Sequence, residues 1–195
     1  MSTPSNVNAP VVPVPMNDLS MQHASIAGEL EAVMAQTIQT TSFILGPAVS
    51  AFEDAYAAYC GADHCIGVSN GTDALVLALR CLDLQPGDEV ITTPHTFGAT
   101  AEAIAHVGGK IVFADVEDDH MNLDPASVAD RITDRTRAIL PVHIYGHPAD
   151  MDPLLSLAKG CGAVVIEDAA QAQGARYKDR VVGSIGQAGC FSFYP

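Results

Sequence analysis

Two adjacent carboxylates, Glu167 and Asp168, follow the apolar residues 163–166, and Gln171 comes three residues later. An unbroken apolar run is typical of a central strand in a parallel sheet that is covered on both faces. Such sheets bind ligands in the crevice at the carboxyl ends of their strands. The spacing therefore predicts that Asp168 lies in a ligand crevice, with Gln171 in the turn that leaves the strand. A carboxylate delivered to such a place needs a partner.

A second candidate site lies at the segment 69–73, where Gly71 permits a tight turn before a predicted helix and Thr72 adds a hydroxyl. The N–H groups and the positive dipole end of a helix attract anions, so this junction is a candidate phosphate cradle. An ordinary helix start, capped by Thr72 or Asp73, is the alternative.

A third junction carries an aromatic ring, because Phe97 falls in the first turn of a helix predicted over 96–107. At the ligand end of a sheet this ring can stack on a flat ligand, or it can be an ordinary core phenylalanine. His95, two residues earlier, is interpreted as a capping or surface histidine rather than a catalyst.

The glycine pattern argues against nucleotide cofactors of the common kinds. The chain has no GxGxxG motif, the glycines of 183–189 have the wrong spacing, and the P-loop lysine pattern is absent. A better partner for Asp168 is a ring nitrogen that must stay protonated, since a carboxylate and a pyridinium each favour the charged form of the other. This is how proteins tune pyridoxal phosphate into an electron sink.

The elements that must position these residues follow an α/β pattern. Two amphipathic helices, near 23–38 and 48–59, precede the strands, and both need the sheet or a second subunit to pack on. We predict strands at 65–69, 89–93, 110–114, 138–142, 163–167, 181–183 and 190–193, and helices at 73–82, at 96–107, and starting at Asp124-Pro125 and Asp152-Pro153. This alternation predicts a mostly parallel central sheet flanked by helices, a three-layer α/β/α fold. Residues 1–15 form a flexible arm in this interpretation, and 16–195 form the large domain.

Charge and cysteine usage narrow the class of protein. The net charge is −14 and no Lys or Arg precedes Arg80, which disfavours nucleic-acid binding and a secretory signal. No apolar run approaches the length of a membrane span. The five cysteines form no CxxC pair and no metal-binding spacing, and we interpret them as reduced thiols of a cytoplasmic protein.

Five ordered motifs resemble the DegT/DnrJ/StrS family of nucleotide-sugar aminotransferases: 69–75, 96–100, 141–146, 167–172 and 191–195. The resemblance runs from about Val14 to the last residue. It implies a type I aminotransferase fold, bound pyridoxal 5′-phosphate and a homodimer with shared sites. It also implies amine transfer from glutamate or glutamine to a keto group on a nucleotide-linked deoxysugar, in the biosynthesis of aminosugars for polysaccharides or glycosides.

The resemblance also implies roles for individual residues. Those that would bind the cofactor are Gly71, Thr72 and Ser192 at the phosphate, Phe97 on the ring face, Asp168 at the ring nitrogen and Gln171 at the phenolic oxygen. His143 and Tyr145 would lie near the substrate. No metal site is expected.

One departure from the family concerns the lysine that anchors the cofactor. The motif ends at Pro195, two positions before that lysine is expected, and the chain has only Lys110, Lys159 and Lys178. We therefore expect a fragment, without the small C-terminal domain and inactive alone. Two alternatives stay open: a sugar dehydratase of the same family, with histidine in place of the lysine, and a non-catalytic regulator or assembly partner.

Overall fold

The computed structural model describes residues 14–194, so all but the last two residues of the predicted arm lie outside it. The chain divides into two compact units, Met1–Pro47 and Ala48–Pro195. The division into an arm at 1–15 and a large domain at 16–195 stays a prediction.

The first unit contains helix α1, Ser20–Thr40. It ends at Thr40, and the left-handed backbone of the C-cap residue Thr41 (φ 54°) lets the N–H of Thr41 bond to the carbonyl of Ile38. The helix predicted near 23–38 is confirmed and is longer than expected. No α1 residue is buried, and the apolar side chains of Ile26, Val33 and Met34 are exposed.

The second unit holds the α/β alternation. Its helices are α2 (Pro47–Cys60, whose first residue belongs to the other unit), α3 (Gly71–Arg80), α4 (Ala99–His106), α5 (Pro125–Ala129) and α6 (Met151–Cys161). Its strands are β1 (Glu89–Thr92), β2 (Lys110–Phe113), β3 (Thr136–Leu140), β4 (Val164–Asp168), β5 (Arg176–Tyr177), β6 (Arg180–Val181) and β7 (Ala188–Cys190). None of the helices in residues 14–194 is long and apolar enough to cross a bilayer.

Five parallel strands form the central sheet in the order β2-β1-β3-β4-β7, and β5 and β6 form a separate antiparallel hairpin. Alternate side chains of the strands enter two cores. On one face Val90, Leu140 and Ile166 pack with Leu75 and Leu79 of α3 and with α4. The other core contains residues of β1, β3 and β4 together with residues of α5 and α6. The predicted three-layer α/β/α architecture is therefore confirmed.

The predicted strand at 65–69 is wrong, because these residues form no strand. The N–H of Gly67 donates to Glu53 Oε1 on α2 at 2.6 Å, and Ile66 is largely exposed. A side chain thus takes a donor that a sheet neighbour would otherwise use. β-Propensity alone does not reveal this competition.

Other boundaries moved by a few residues. Helix α4 begins at Ala99 rather than Thr96, and α6 begins at Met151 rather than at Asp152-Pro153. The last predicted strand stops at Cys190, and the strand predicted at 181–183 contributes only Val181, to the β5–β6 hairpin. The start at Asp124-Pro125 is confirmed, since the Asp124 carboxylate accepts from the first-turn N–H groups of α5.

Candidate active site

The carboxyl edge of the sheet collects most of the predicted site residues. Because the five strands are parallel, the segments that follow β1, β3, β4 and β7 all begin at this edge. They carry Phe97, Tyr145, Gln171 and Ser192 respectively, and Asp168 is the last residue of β4. Residues from four separate motifs therefore meet at one edge.

Asp168 is almost fully buried, with 5% of its surface exposed. Its Oδ2 accepts from the Thr100 hydroxyl at 2.7 Å, and its Oδ1 accepts from the N–H of Ala170 at 3.2 Å. Burial raises the pKa of this carboxyl, and the two hydrogen bonds oppose the rise without cancelling it. A cationic partner would lower the cost of the buried charge, so the site suits a ligand that brings a protonated nitrogen.

The phosphate cradle predicted at Gly71 is built by a close approach of two chain segments. A Cβ added to Gly71 would lie 2.7 Å from Ser192 Cβ, so only glycine lets the start of α3 lie against the residue that follows β7. Asn70 is the N-cap, since its Oδ1 accepts from the N–H of Asp73 at 2.8 Å. The alternative in which Thr72 or Asp73 caps the helix is therefore wrong, and Thr72 stands in the first turn, beside the contact between Gly71 and Ser192.

Gln171 has a defined amide orientation. Its Oε1 accepts from the N–H of Tyr145 at 2.9 Å, which leaves the amide NH₂ as the group that can donate to a ligand oxygen. Tyr145 adopts a left-handed backbone (φ 53°) and is 80% exposed. The structure thus brings these two predicted residues into direct contact.

Phe97 precedes helix α4 instead of lying in its first turn, and 74% of its surface is exposed. The alternative of a core phenylalanine is therefore wrong, and a face of this ring is open to a ligand. His95 is not a helix cap. Its Nδ1 lies 3.0 Å from the carbonyl of Met121, and its ring meets that of Tyr145 edge-on at 6.0 Å.

The His143 side chain is wholly buried, and its expected place near the substrate stays a prediction. Its Nδ1 accepts from the N–H of Ala149 and its Nε2 lies 3.0 Å from Glu167 Oε2, so Nε2 carries the proton and donates. Only its backbone reaches the edge, where its N–H bonds to the carbonyl of Asp168 at 3.0 Å. The imidazole therefore supports the fold beneath the site.

Glu167 and Thr100 were not assigned roles from the sequence. Glu167 also accepts from the N–H groups of Gly183, Ile185 and Gly186, and with His143 these bonds hold its pKa below the ordinary value although burial acts to raise it. The only sequence signal for the separate environment of Glu167 is strand alternation, because successive side chains of a strand point to opposite faces of the sheet. No sequence signal identified Thr100, since its partner is 68 positions away.

The three lysines lie away from this group of residues. Lys110 pairs with Glu89, Lys178 pairs with Asp152, and Lys159 lies in the last turn of α6. Within residues 14–194, no lysine is hydrogen-bonded to the side chains gathered around Asp168.

Comparison with known proteins identifies the family. The model of the DegT/DnrJ/EryC1/StrS aminotransferase family matches residues 24–195. The chain belongs to this family. Its fold is that of the aminotransferases in the family, as the match to DesV from S. venezuelae, in complex with a ketimine intermediate, illustrates. That crystal structure is 47% identical, with a TM-score of 0.89 over 93% of this chain and 49% of that chain.

Two curated relatives illustrate the range of names in the family. The dTDP-3-amino-3,4,6-trideoxy-alpha-D-glucose transaminase of Streptomyces venezuelae is 47% identical over 93% of this chain and 48% of its own length. A protein of Geobacillus stearothermophilus named pleiotropic regulatory protein is 48% identical over 93% of this chain and 49% of its own length. The chain thus spans about half the length of the relatives it matches.

Proposed function

We propose that the protein carrying this chain is a pyridoxal-phosphate-dependent nucleotide-sugar aminotransferase. It transfers an amine from glutamate or glutamine to a keto group on a nucleotide-linked deoxysugar. The observation that carries this proposal is Asp168, a buried carboxylate with a raised pKa at the carboxyl edge of a parallel sheet. Family membership and the similarity to a sugar transaminase support the same reaction class.

The donor groups present fit pyridoxal phosphate. The start of α3, where Gly71 lies against Ser192 and Thr72 follows in the first turn, offers backbone and hydroxyl donors for a phosphate. Phe97 offers an exposed ring face, and the amide of Gln171 offers a donor for a phenolic oxygen. When bound, pyridoxal phosphate supplies an electron sink that stabilises negative charge on the carbon bearing the amine.

Each of the proposed cofactor-binding residues then has a defined role. Asp168 holds the proton on the ring nitrogen, because an ionised carboxylate stabilises a neighbouring cation most strongly where water is excluded. Gln171 donates to the phenolic oxygen and keeps that oxygen ionised. The α3 terminus and Ser192 fix the phosphate, so the ring is oriented before a substrate arrives.

A regulatory role is the second candidate, since a relative that is 48% identical bears a regulatory name. The experiment that separates the two uses the full-length protein with pyridoxal phosphate, glutamate and a dTDP-linked 3-keto-6-deoxysugar. We expect release of 2-oxoglutarate together with an aminosugar, detected by mass spectrometry, and loss of both in Asp168→Asn.

Two other outcomes of this experiment would contradict the proposed aminotransferase activity. Loss of a sugar hydroxyl without amine transfer would instead identify the dehydratase. The absence of any turnover across dTDP- and UDP-linked keto sugars would favour a regulator.

We also propose that the protein is a homodimer that works in the cytoplasm. The row of exposed apolar side chains on α1 supports a partner surface, because monomers seldom leave such a stripe uncovered. The cysteines Cys60, Cys65, Cys81, Cys161 and Cys190 are unpaired, which suits a reducing compartment.

A further inference from the structure

Two threonine hydroxyls form a chain that ends on Asp168. Thr100 is wholly buried in the first turn of α4, with its Oγ1 2.7 Å from Asp168 Oδ2. The same oxygen lies 2.7 Å from Thr96 Oγ1, in the segment that carries Phe97. These two hydrogen bonds therefore link the segment of Phe97, the proposed ring-stacking residue, to Asp168, the proposed partner of the ring nitrogen.

The carboxylate of Asp168 decides which hydroxyl donates and which accepts in these two hydrogen bonds. An ionised carboxylate only accepts hydrogen bonds, so Thr100 must give its single hydroxyl proton to Asp168. The Thr100 oxygen then accepts, and Thr96 is its donor. In this arrangement both hydroxyls stabilise the ionised form of Asp168. The hydrogen bond that Thr100 accepts from Thr96 polarises the Thr100 hydroxyl and makes it a stronger donor to the carboxylate.

We propose that Thr100 is a positioning residue for the cofactor. Its hydroxyl keeps the Asp168 carboxylate ionised and fixed in one orientation toward the ring nitrogen, and Thr96 couples that orientation to the Phe97 segment. This inference rests on the proposed function, because it assigns Thr100 a role through Asp168.

The other groups around Asp168 cannot replace Thr100. Glu167, the preceding residue, lies on the opposite face of β4, and His143 is bound to it. Cys190 is paired with Asp168 across the sheet, and burial together with the two carboxylates raises its pKa to about 12, so it stays a neutral thiol. Among residues 14–194, Thr100 is the only side chain that hydrogen-bonds the Asp168 carboxylate.

The first test is independent of the cofactor. In the apo protein labelled with ¹³Cγ aspartate, the Asp168 resonance is assigned by its absence in Asp168→Asn and followed against pH. We expect Thr100→Val to raise the pKa of Asp168, because valine keeps the shape but removes the hydroxyl. Thr100→Ser retains the donor and should restore the original titration. An unchanged titration in Thr100→Val would overturn the inference.

The second test measures the dissociation constant of pyridoxal phosphate by fluorescence quenching of the full-length protein. We expect Thr100→Val to weaken binding about ten- to a hundredfold, the range for one lost hydrogen bond to a charged group, and Thr100→Ser to bind nearly as the wild type does. Thr96→Val should weaken binding in the same direction but less, because it leaves the Thr100 bond in place.

The two tests fail in distinguishable ways. A raised pKa in Thr100→Val with unchanged cofactor affinity would overturn the positioning role. If the wild-type protein does not bind pyridoxal phosphate at all, the proposed function is overturned, while the Asp168 titration still decides whether Thr100 holds that carboxylate ionised.

Discussion

At the scale of single residues, two neighbouring carboxylates on one strand have opposite environments. Glu167 is enclosed by an imidazole and three backbone donors, and its pKa is lowered. Asp168 has one hydroxyl and one backbone donor, and its pKa is raised. The protein itself satisfies the carboxylate of Glu167, and the proposed function assigns a ligand to that of Asp168. The sequence predicted the place of both residues but not this division, which depends on residues 16 to 68 positions away.

Removing the charge of Glu167 should destabilise the fold. In Glu167→Gln an amide NH₂ would face N–H donors, and we expect a loss of about 3 kcal/mol in the free energy of unfolding near neutral pH. Because the folded-state pKa is lowered, the contribution of Glu167 is present above its unfolded pKa of about 4.3 and is lost as pH falls through the folded pKa. Denaturant unfolding at pH 7 and at acid pH measures both effects. The exposed Glu102→Gln is the control, and equal losses in the two variants would contradict the account.

Asp168 should show the opposite trend with pH. Its folded-state pKa is raised, so its contribution is fully present below the unfolded pKa of about 3.9 and is lost as pH rises through the folded pKa. The stability of Asp168→Asn relative to the wild-type apo protein should therefore improve between pH 4 and 7. Thermal unfolding of both proteins across this range measures it. A relative stability that falls with pH would show that Asp168 already has a cationic partner in the protein.

At the scale of elements, the site depends on where helices begin. The sequence pattern predicted a helix from residue 73, and α3 begins two residues earlier, at Gly71, because Asn70 and not Thr72 or Asp73 is its N-cap. It placed Phe97 inside α4, since the apolar period extends upstream of Ala99. It did not reveal that Gly71 touches Ser192, 121 positions later in the chain, because local periodicity carries no information on such contacts.

Substituting this glycine tests the cradle. Gly71→Ala would place a Cβ 2.7 Å from Ser192 Cβ, so the segments must separate, at a cost of about 1–3 kcal/mol. We expect the variant to lose most of the preference of the protein for pyridoxal phosphate over pyridoxal, measured by titration calorimetry. The control is Gly160→Ala in α6, where a Cβ meets nothing within 4 Å. An unchanged preference in Gly71→Ala would place the phosphate elsewhere.

At the scale of the whole molecule, the layers of the fold could be predicted from alternation and composition, and the assembly could not. The two cores explain why strand residues such as Val90 and Ile91 are apolar on both faces. Helix α1 has the apolar period of a packed helix and yet no buried residue. A periodic apolar pattern indicates that one face of a helix packs against another surface, but it does not identify the molecule that provides that surface.

A homodimer gives a direct prediction for α1. The full-length protein should sediment as a dimer, and Val33→Asp should shift it toward the monomer, because burying an unpaired charge in an interface is costly. Gln39→Asp, on the opposite side of α1, adds the same charge and should leave the dimer intact. Analytical ultracentrifugation at several concentrations measures the change. Equal behaviour of the two variants would exclude this face from the interface.

The pairing of Asp168 with a protonated ring nitrogen is tested most directly by an analogue that lacks that nitrogen. We would measure dissociation constants of pyridoxal phosphate and 1-deazapyridoxal phosphate for the wild type and for Asp168→Asn. The wild type should prefer pyridoxal phosphate by about a hundredfold, the range for a buried charge pair, and the variant should bind both nearly equally. A preference that persists in Asp168→Asn, or one that is missing in the wild type, would contradict the account.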